Sequence, residues 1–170
     1  MDKEILFTEQ QRFKQWWLWL ILISLNGLFL FGVFQQVFNG HPFGDKPMSD
    51  VGLLIVSGLF LLITLLFVVF RLETQIKKDG IYVRFFSFHV NFKYFSWESL
   101  TKSFVRNYSA ITEYGGWGLR IGLFGRGKAY NVSGNTGLQL EFKTSKKLLI
   151  GTGKATELTN VLTKLGQLHA

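Results

Sequence analysis

The chain of 170 residues has no cysteine, only two prolines and three histidines, and 11 acidic residues against 19 basic ones. Without cysteine it has neither a disulfide framework nor a thiolate metal site, although this decides nothing about the compartment. The histidines, His41, His89 and His169, lack ligand spacing, so neither a metal nor another cofactor is expected. No Gly-x-Ser-x-Gly elbow positions a nucleophile, and no nucleic-acid recognition motif accompanies the basic residues. The sequence therefore predicts a protein that is not an enzyme and does not bind nucleic acid. Charge is absent from two long stretches, 16–38 and 51–70.

These stretches reconcile a hydrophobic content of 48% with a net charge of +8, because the apolar residues are segregated. Helices of 23 and 20 residues, at about 1.5 Å per residue, each reach roughly 30 Å, the thickness of a bilayer's hydrocarbon core. Trp16, Trp17 and Trp19 crowd one end of the first stretch, as aromatic rings do at a membrane interface. The run before it mixes acids with bases and no A-x-A site follows, so it reads as a retained anchor and not as a signal peptide. Both prolines fall in the short connection 39–50, which makes 16–70 a transmembrane helical hairpin behind a short segment, 1–15. Lys and Arg number 3 before the first span, 1 in the connection and 15 after the second. By the positive-inside rule, a multi-pass protein of the inner membrane with both termini cytoplasmic is expected.

From residue 71 the pattern alternates, as in strands. Leu72, Thr74 and Ile76 alternate with polar residues, Lys78-Asp79-Gly80 supplies a turn, and a second strand follows over 81–86. Further strands are predicted over 89–96, 100–108, 117–124, 128–133, 137–143 and 147–150. Leu158, Val161, Leu162, Leu165 and Leu168 then trace one stripe of a helix that Thr152 or Thr156 can cap. The expected domain, 71–170, is a small antiparallel β barrel or sandwich with an amphipathic helix over one open end, and the whole chain is membrane-anchored α+β.

The order of elements also carries a resemblance. A two-span hairpin, a strand pair, Phe95-Ser-Trp-Glu-Ser-Leu100, a glycine-rich hairpin and a Leu-rich helix together resemble small bacterial membrane proteins with pleckstrin-homology-like domains. Tyr114-Gly-Gly-Trp-Gly-Leu-Arg120, Ala129-Tyr-Asn-Val-Ser-Gly134 and Leu149-Ile-Gly-Thr152 look like the signature of an uncharacterised set within that group. The resemblance covers nearly the whole chain. It implies the fold and the location, and it implies no activity.

Two glycine-rich stretches bear on phosphate binding. Gly122-Leu-Phe-Gly-Arg-Gly-Lys-Ala129 falls one residue short of a Walker loop, since Ala129 has no hydroxyl for magnesium and a β-rich run follows where a helix is required. It reads as a strand connection. Gly151-Thr-Gly-Lys-Ala-Thr156 precedes the final helix, where backbone N–H groups and Lys154 can meet an anion or only make a turn.

The tail from Arg71 carries 15 basic and 6 acidic residues. Arg71, Lys77, Lys78, Arg84 and Lys93 come from the first three strands, and Arg120, Arg126 and Lys128 surround the glycine hairpin. Of these, Arg71, Lys77, Lys78, Arg120, Arg126 and Lys128 are the candidate contacts to anionic phospholipid headgroups, at the surface or in the mouth of the barrel. The alternative is that this charge is only a topology signal. Tyr114, Trp117 and Tyr130 near the glycines form either an exposed platform for a partner or part of the core. Asn26 can hydrogen-bond Ser57 or Thr64 across the hairpin, or another copy of the chain. The function expected is a membrane scaffold for lipid or protein, with a membrane protein or a second copy as possible partner. The alternative is an accessory subunit of a membrane enzyme or transporter complex.

Overall fold

The computed structural model describes residues 4–122 and 125–169. Leu123 and Phe124, expected at the end of the strand over 117–124, lie outside them. Two compact units emerge, one formed by 14–69 and the other by the described residues of 1–13 and 70–170.

The first unit holds α1 (Trp16–Val33), continued by a π-helical turn (Phe34–Phe38), and α2 (Asp50–Val69). Both helices are long and apolar enough to cross a membrane. Within them only Leu22, Gly32, Leu53 and Ser57 are buried, so their apolar surface is mostly exposed. The helices meet through Phe29 and Phe60, whose rings stack at 4.8 Å, and through Asn26, whose Nδ2 donates to Thr64 Oγ1 at 2.7 Å. Thr64 is thus the partner of Asn26, while Ser57 donates to the Leu53 carbonyl of its own helix. Where water is scarce such a bond is worth about 1 kcal/mol and aligns the pair. Gln36 closes the connection by donating to Met48 O and Asp50 Oδ1 and accepting from Phe43 N.

Among the described residues the second unit contains nine strands, two α-helices and one 3-10 turn, Trp97–Ser99. The strands and α-helices are β1 (Ile5–Arg12), β2 (Arg71–Lys77), β3 (Gly80–Phe86), β4 (Lys93–Ser96), β5 (Leu100–Asn107), α3 (Ala110–Tyr114), β6 (Gly118–Ile121), β7 (Lys128–Asn131), β8 (Thr136–Phe142), β9 (Lys147–Gly151) and α4 (Ala155–Lys164). One sheet has the order β1-β2-β3-β4 and the other β5-β8-β9-β7-β6. Alternation sets the buried face of the first: Phe7 from β1, Leu72, Thr74 and Ile76 from β2, and Ile81, Val83 and Phe85 from β3. Leu138, Leu140, Leu148 and Ile150 are the counterparts in the second, while Leu149 is buried on the opposite face. The helix stripe is met in part: the helix ends at Lys164, so Leu165 and the 38% exposed Leu168 lie beyond it, but Leu158 and Leu162 are fully buried and α4 packs on β1 and β5. Burying each such leucine contributes about 1.5–3 kcal/mol.

Four expectations change. The sheets do not join into a closed barrel, and the second is mixed, since β7 runs parallel to β9. The segment before the first span is not a separate tail: β1 pairs antiparallel with β2 along almost its whole length. The strand expected over 89–96 begins only at Lys93, because Ser87 takes φ 89° and the His89 N–H turns back onto Phe85 O. Neither threonine caps α4. Lys154 stands at the cap position, and Thr152 Oγ1 accepts from the Lys154 N–H instead.

Candidate functional site

A cleft of about 790 Å³ opens between the edge of β4, the β6–β7 connection and the β8–β9 turn. Its apolar lining comes from Tyr94, Phe95, Ile121, Tyr130, Phe142 and Leu148, with Phe95 and Phe142 meeting at 5.4 Å. Four lysines border it: Lys93 begins β4, Lys128 begins β7, and Lys146 and Lys147 lead into β9. No carboxylate side chain is among the described lining residues.

Each lysine is positioned by the local fold. Lys93 Nζ donates to Tyr130 Oη at 3.2 Å, which ties the first sheet to the second. Lys128 lies in register with Leu148, next to Lys147. That proximity depends on Gly127, which has φ 83° and on which a Cβ would come within 2.2 Å of Lys147 O. Lys147 alone is offset by an acid, Glu141 at 3.1 Å; among the described residues Lys93, Lys128 and Lys146 form no ion pair. An apolar floor under uncompensated cations suits an anion that carries an apolar body.

His89 stands behind the cleft with its ring 5.5 Å from that of Tyr130. Burial holds its pKa below the ordinary histidine value, and the charges of Lys93 and Lys128 lower it further. Its Nδ1 accepts from the Phe85 N–H at 3.4 Å, as a neutral imidazole does. A bound anion would oppose the two lysines and raise this pKa.

The six candidate anion contacts do not gather at one place. Lys128 alone among them lines the cleft. Arg126 is bound to Glu113 at 3.0 Å, in a group completed by Arg106, which gives Glu113 a further bond at 2.8 Å and donates to Tyr114 Oη. The Arg106 hydrogen bond holds the Glu113 carboxyl below its ordinary pKa. Arg120 folds back onto the Trp117 carbonyl at 2.9 Å. Arg71 pairs with Glu73 at 2.7 Å and lies over the Phe86 ring. At the other end of β2, roughly 20 Å away by strand rise, Lys77 lies over Tyr82 and Lys78 pairs with Glu4 at 2.7 Å.

The aromatic platform is corrected in the same way. Tyr114 and Tyr130 are 2% and 3% exposed, so they belong to the core, and half-buried Trp117 packs on the cluster of Tyr108, Ala110, Tyr114, Ala129 and Leu149. Tyr130 reaches the cleft as part of its wall.

Neither glycine stretch forms a Walker loop. Gly125 and Gly127 have positive φ in the connection between β6 and β7, which the Gly122 N–H closes onto Gly127 O at 2.6 Å. Lys128 then starts a strand. Before α4 the chain supplies its own anion: buried Glu9 of β1 accepts from Thr152 Oγ1 at 2.6 Å and from the Gly153 N–H at 2.8 Å. The place is polar and suited to a carboxylate, and the N-terminal strand fills it.

Lys146 and Lys147 are the cleft lysines that sequence reasoning missed, whereas Lys93 was among the basic residues of the first three strands without being one of the six candidate contacts. The basic run Lys143-Thr-Ser-Lys-Lys147 was visible, but only the pairing of β8 with β9 and of β9 with β7 brings its end to Lys128. Comparison with protein-family models, curated proteins and solved structures found no match to this chain.

Proposed function

We propose that this chain is a membrane-anchored binding protein. Its two apolar helices span the inner membrane as a hairpin, and its pleckstrin-homology-like α+β domain holds anionic phospholipid headgroups at the cytoplasmic face. The reading assigns binding to the cleft and no chemical step. One observation carries it: four lysines surround an apolar floor with no carboxylate side chain among its described lining residues. A phosphate can meet Lys93, Lys128 and Lys146, while the glycerol and upper acyl carbons lie against Ile121, Phe142 and Leu148. Tethering places such headgroups beside the domain, and each basic residue at an anionic leaflet gains on the order of 1 kcal/mol.

The test is lipid retention. The full chain is released from nanodiscs of mixed phosphatidylcholine and phosphatidylglycerol, and native mass spectrometry identifies the lipids kept. Enrichment of phosphatidylglycerol that is lost in the K93E/K128E double variant and kept in R120E supports the reading. Equal retention by all three proteins contradicts it. Loss of the retained lipid on adding inorganic phosphate would show that the free ion, and not the lipid, is the preferred occupant.

A further inference from the structure

The connection between β3 and β4, Ser87-Phe-His-Val-Asn-Phe92, is apolar, ordered and exposed. Phe88 and Val90 are 60% and 80% exposed, and what sets them apart is that two such apolar side chains share one short loop. The loop is nevertheless held firmly. The Phe88 and His89 N–H groups donate to Phe85 O at 3.1 and 2.9 Å, Arg84 Nη1 donates to Val90 O at 3.1 Å, and the Arg84 guanidinium lies 4.5 Å from the Phe92 ring. The backbone at Ser87, with φ 89°, turns the two apolar side chains outward.

The position of this loop in the sheet is what matters. Phe86 stands opposite Arg71, the first residue of β2, so the loop leaves the sheet at the end where the chain joins the second apolar helix. Phe88 stacks on Phe70 with ring centroids 5.3 Å apart, and Phe70 directly follows Val69, the last residue of that helix. Phe85 completes a three-ring group with both. If Val69 ends a span, Phe70 lies at the interface, and a ring stacked on it shares that depth. Segments that lie in this region seat Phe and Leu in the acyl boundary while Lys and Arg reach the headgroups, and Phe88 beside Arg84 has that make-up.

We infer that the 87–92 loop is a second membrane contact, which seats Phe88 and Val90 in the upper acyl region of the same leaflet from which the hairpin emerges. The inference rests on the membrane-spanning reading above but not on headgroup binding in the cleft. Its consequence is orientation: a domain held by the hairpin and by the loop cannot rotate freely, and Lys93, one residue beyond Phe92, is kept near the headgroups.

The absence of cysteine makes the test direct. V90C, K78C and L61C are made in the full chain, labelled with an environment-sensitive fluorophore and reconstituted in phosphatidylcholine vesicles with or without lipid spin-labelled high on the acyl chain. Lys78, at the opposite end of β2, reports the aqueous state, and Leu61 in α2 reports the bilayer. The label on V90C is expected to emit at shorter wavelength than that on K78C and to be quenched by the spin-labelled lipid. Quenching at L61C with aqueous behaviour at V90C overturns the loop contact and leaves the spans intact. A label on V90C that is shielded yet unquenched means that protein covers the loop, which also overturns it. Absence of quenching at L61C removes the spanning reading, and the loop contact falls with it.

Discussion

Arg12, the last residue of β1, stands opposite Arg71, the first residue of β2. The chain therefore leaves the sheet, makes the whole helical hairpin, and returns to the neighbouring position. Glu4 and Lys78 pair at 2.7 Å at the far end of the same two strands, so under the membrane-spanning reading both lie on the side where Arg71 emerges. Single cysteines at Glu4 and Lys78 are expected to react with an impermeant maleimide from the same side of oriented vesicles, the cytoplasmic one. Labelling from opposite sides would rule out the paired strands and the hairpin together.

The N-terminal strand is part of the domain's core. Phe7 is 2% exposed, and Phe→Ala at such a site costs about 3–5 kcal/mol. F7A is expected to lower the urea midpoint of the full chain by that amount of stability, whereas L61A, on the exposed side of α2, leaves the β domain's transition in place. A chain starting at Arg71 would expose the β2 edge and is expected to aggregate.

Glu9 joins β1 to the start of α4 through Thr152 and Gly153. E9Q keeps the shape but loses the charge and one acceptor, and a destabilisation of about 1–3 kcal/mol is expected, as for a buried hydrogen-bonding group left with an unmatched partner. Urea denaturation of the full chain measures it. E9A is expected to cost at least as much, and a result within error of wild type for both would remove Glu9 as the clasp.

Acid should weaken the domain in two steps. The folded state holds the His89 pKa down, chiefly by burial, so protons bind the unfolded chain more readily. Stability linked to His89 is thus complete above about pH 6.5 and declines as pH falls through the folded pKa. Glu113, held down by Arg106, adds a second loss below its ordinary value of about 4.5. Thermal unfolding across pH is expected to show the upper step disappear in H89N and the lower step flatten in E113Q.

Gly127 is expected to reject a side chain, since a Cβ there meets the Lys147 carbonyl. G127A should destabilise the β6–β7 connection by about 1–3 kcal/mol and displace Lys128, with loss of phosphatidylglycerol retention. A variant with normal stability and retention would show that this close approach does not position the cleft.

Much of the architecture was legible because its signals are local. The uncharged runs gave both helices within a residue or two, alternation gave β2, β3 and β8, and the spacing of Leu158 and Leu162 gave α4. The missing features are non-local. Ile5–Arg12 alternates weakly, with the polar residues Glu9 and Gln11 at buried and half-buried positions, and its partner lies beyond the hairpin in sequence, so β1 read as a separate segment. The parallel pairing of β7 with β9 has no sequence signature either. For the same reason the cleft was only partly visible: Lys128 was a candidate, but its neighbours Lys93, Lys146 and Lys147 arrive from two other parts of the chain. The cations that looked available, Arg71, Lys78 and Arg126, are those the fold pairs with its few acids.

Headgroup binding in the cleft is tested most directly by a photo-crosslink at Ile121, which lines the cleft and is 74% exposed. The full chain carrying benzoylphenylalanine at that position is irradiated in vesicles of phosphatidylcholine and phosphatidylglycerol, and the adducts are identified by mass spectrometry. An adduct enriched in phosphatidylglycerol beyond its share of the bilayer is expected, with loss of that enrichment in K93E/K128E. Adducts in proportion to bulk lipid, or no lipid adduct at all, would contradict it.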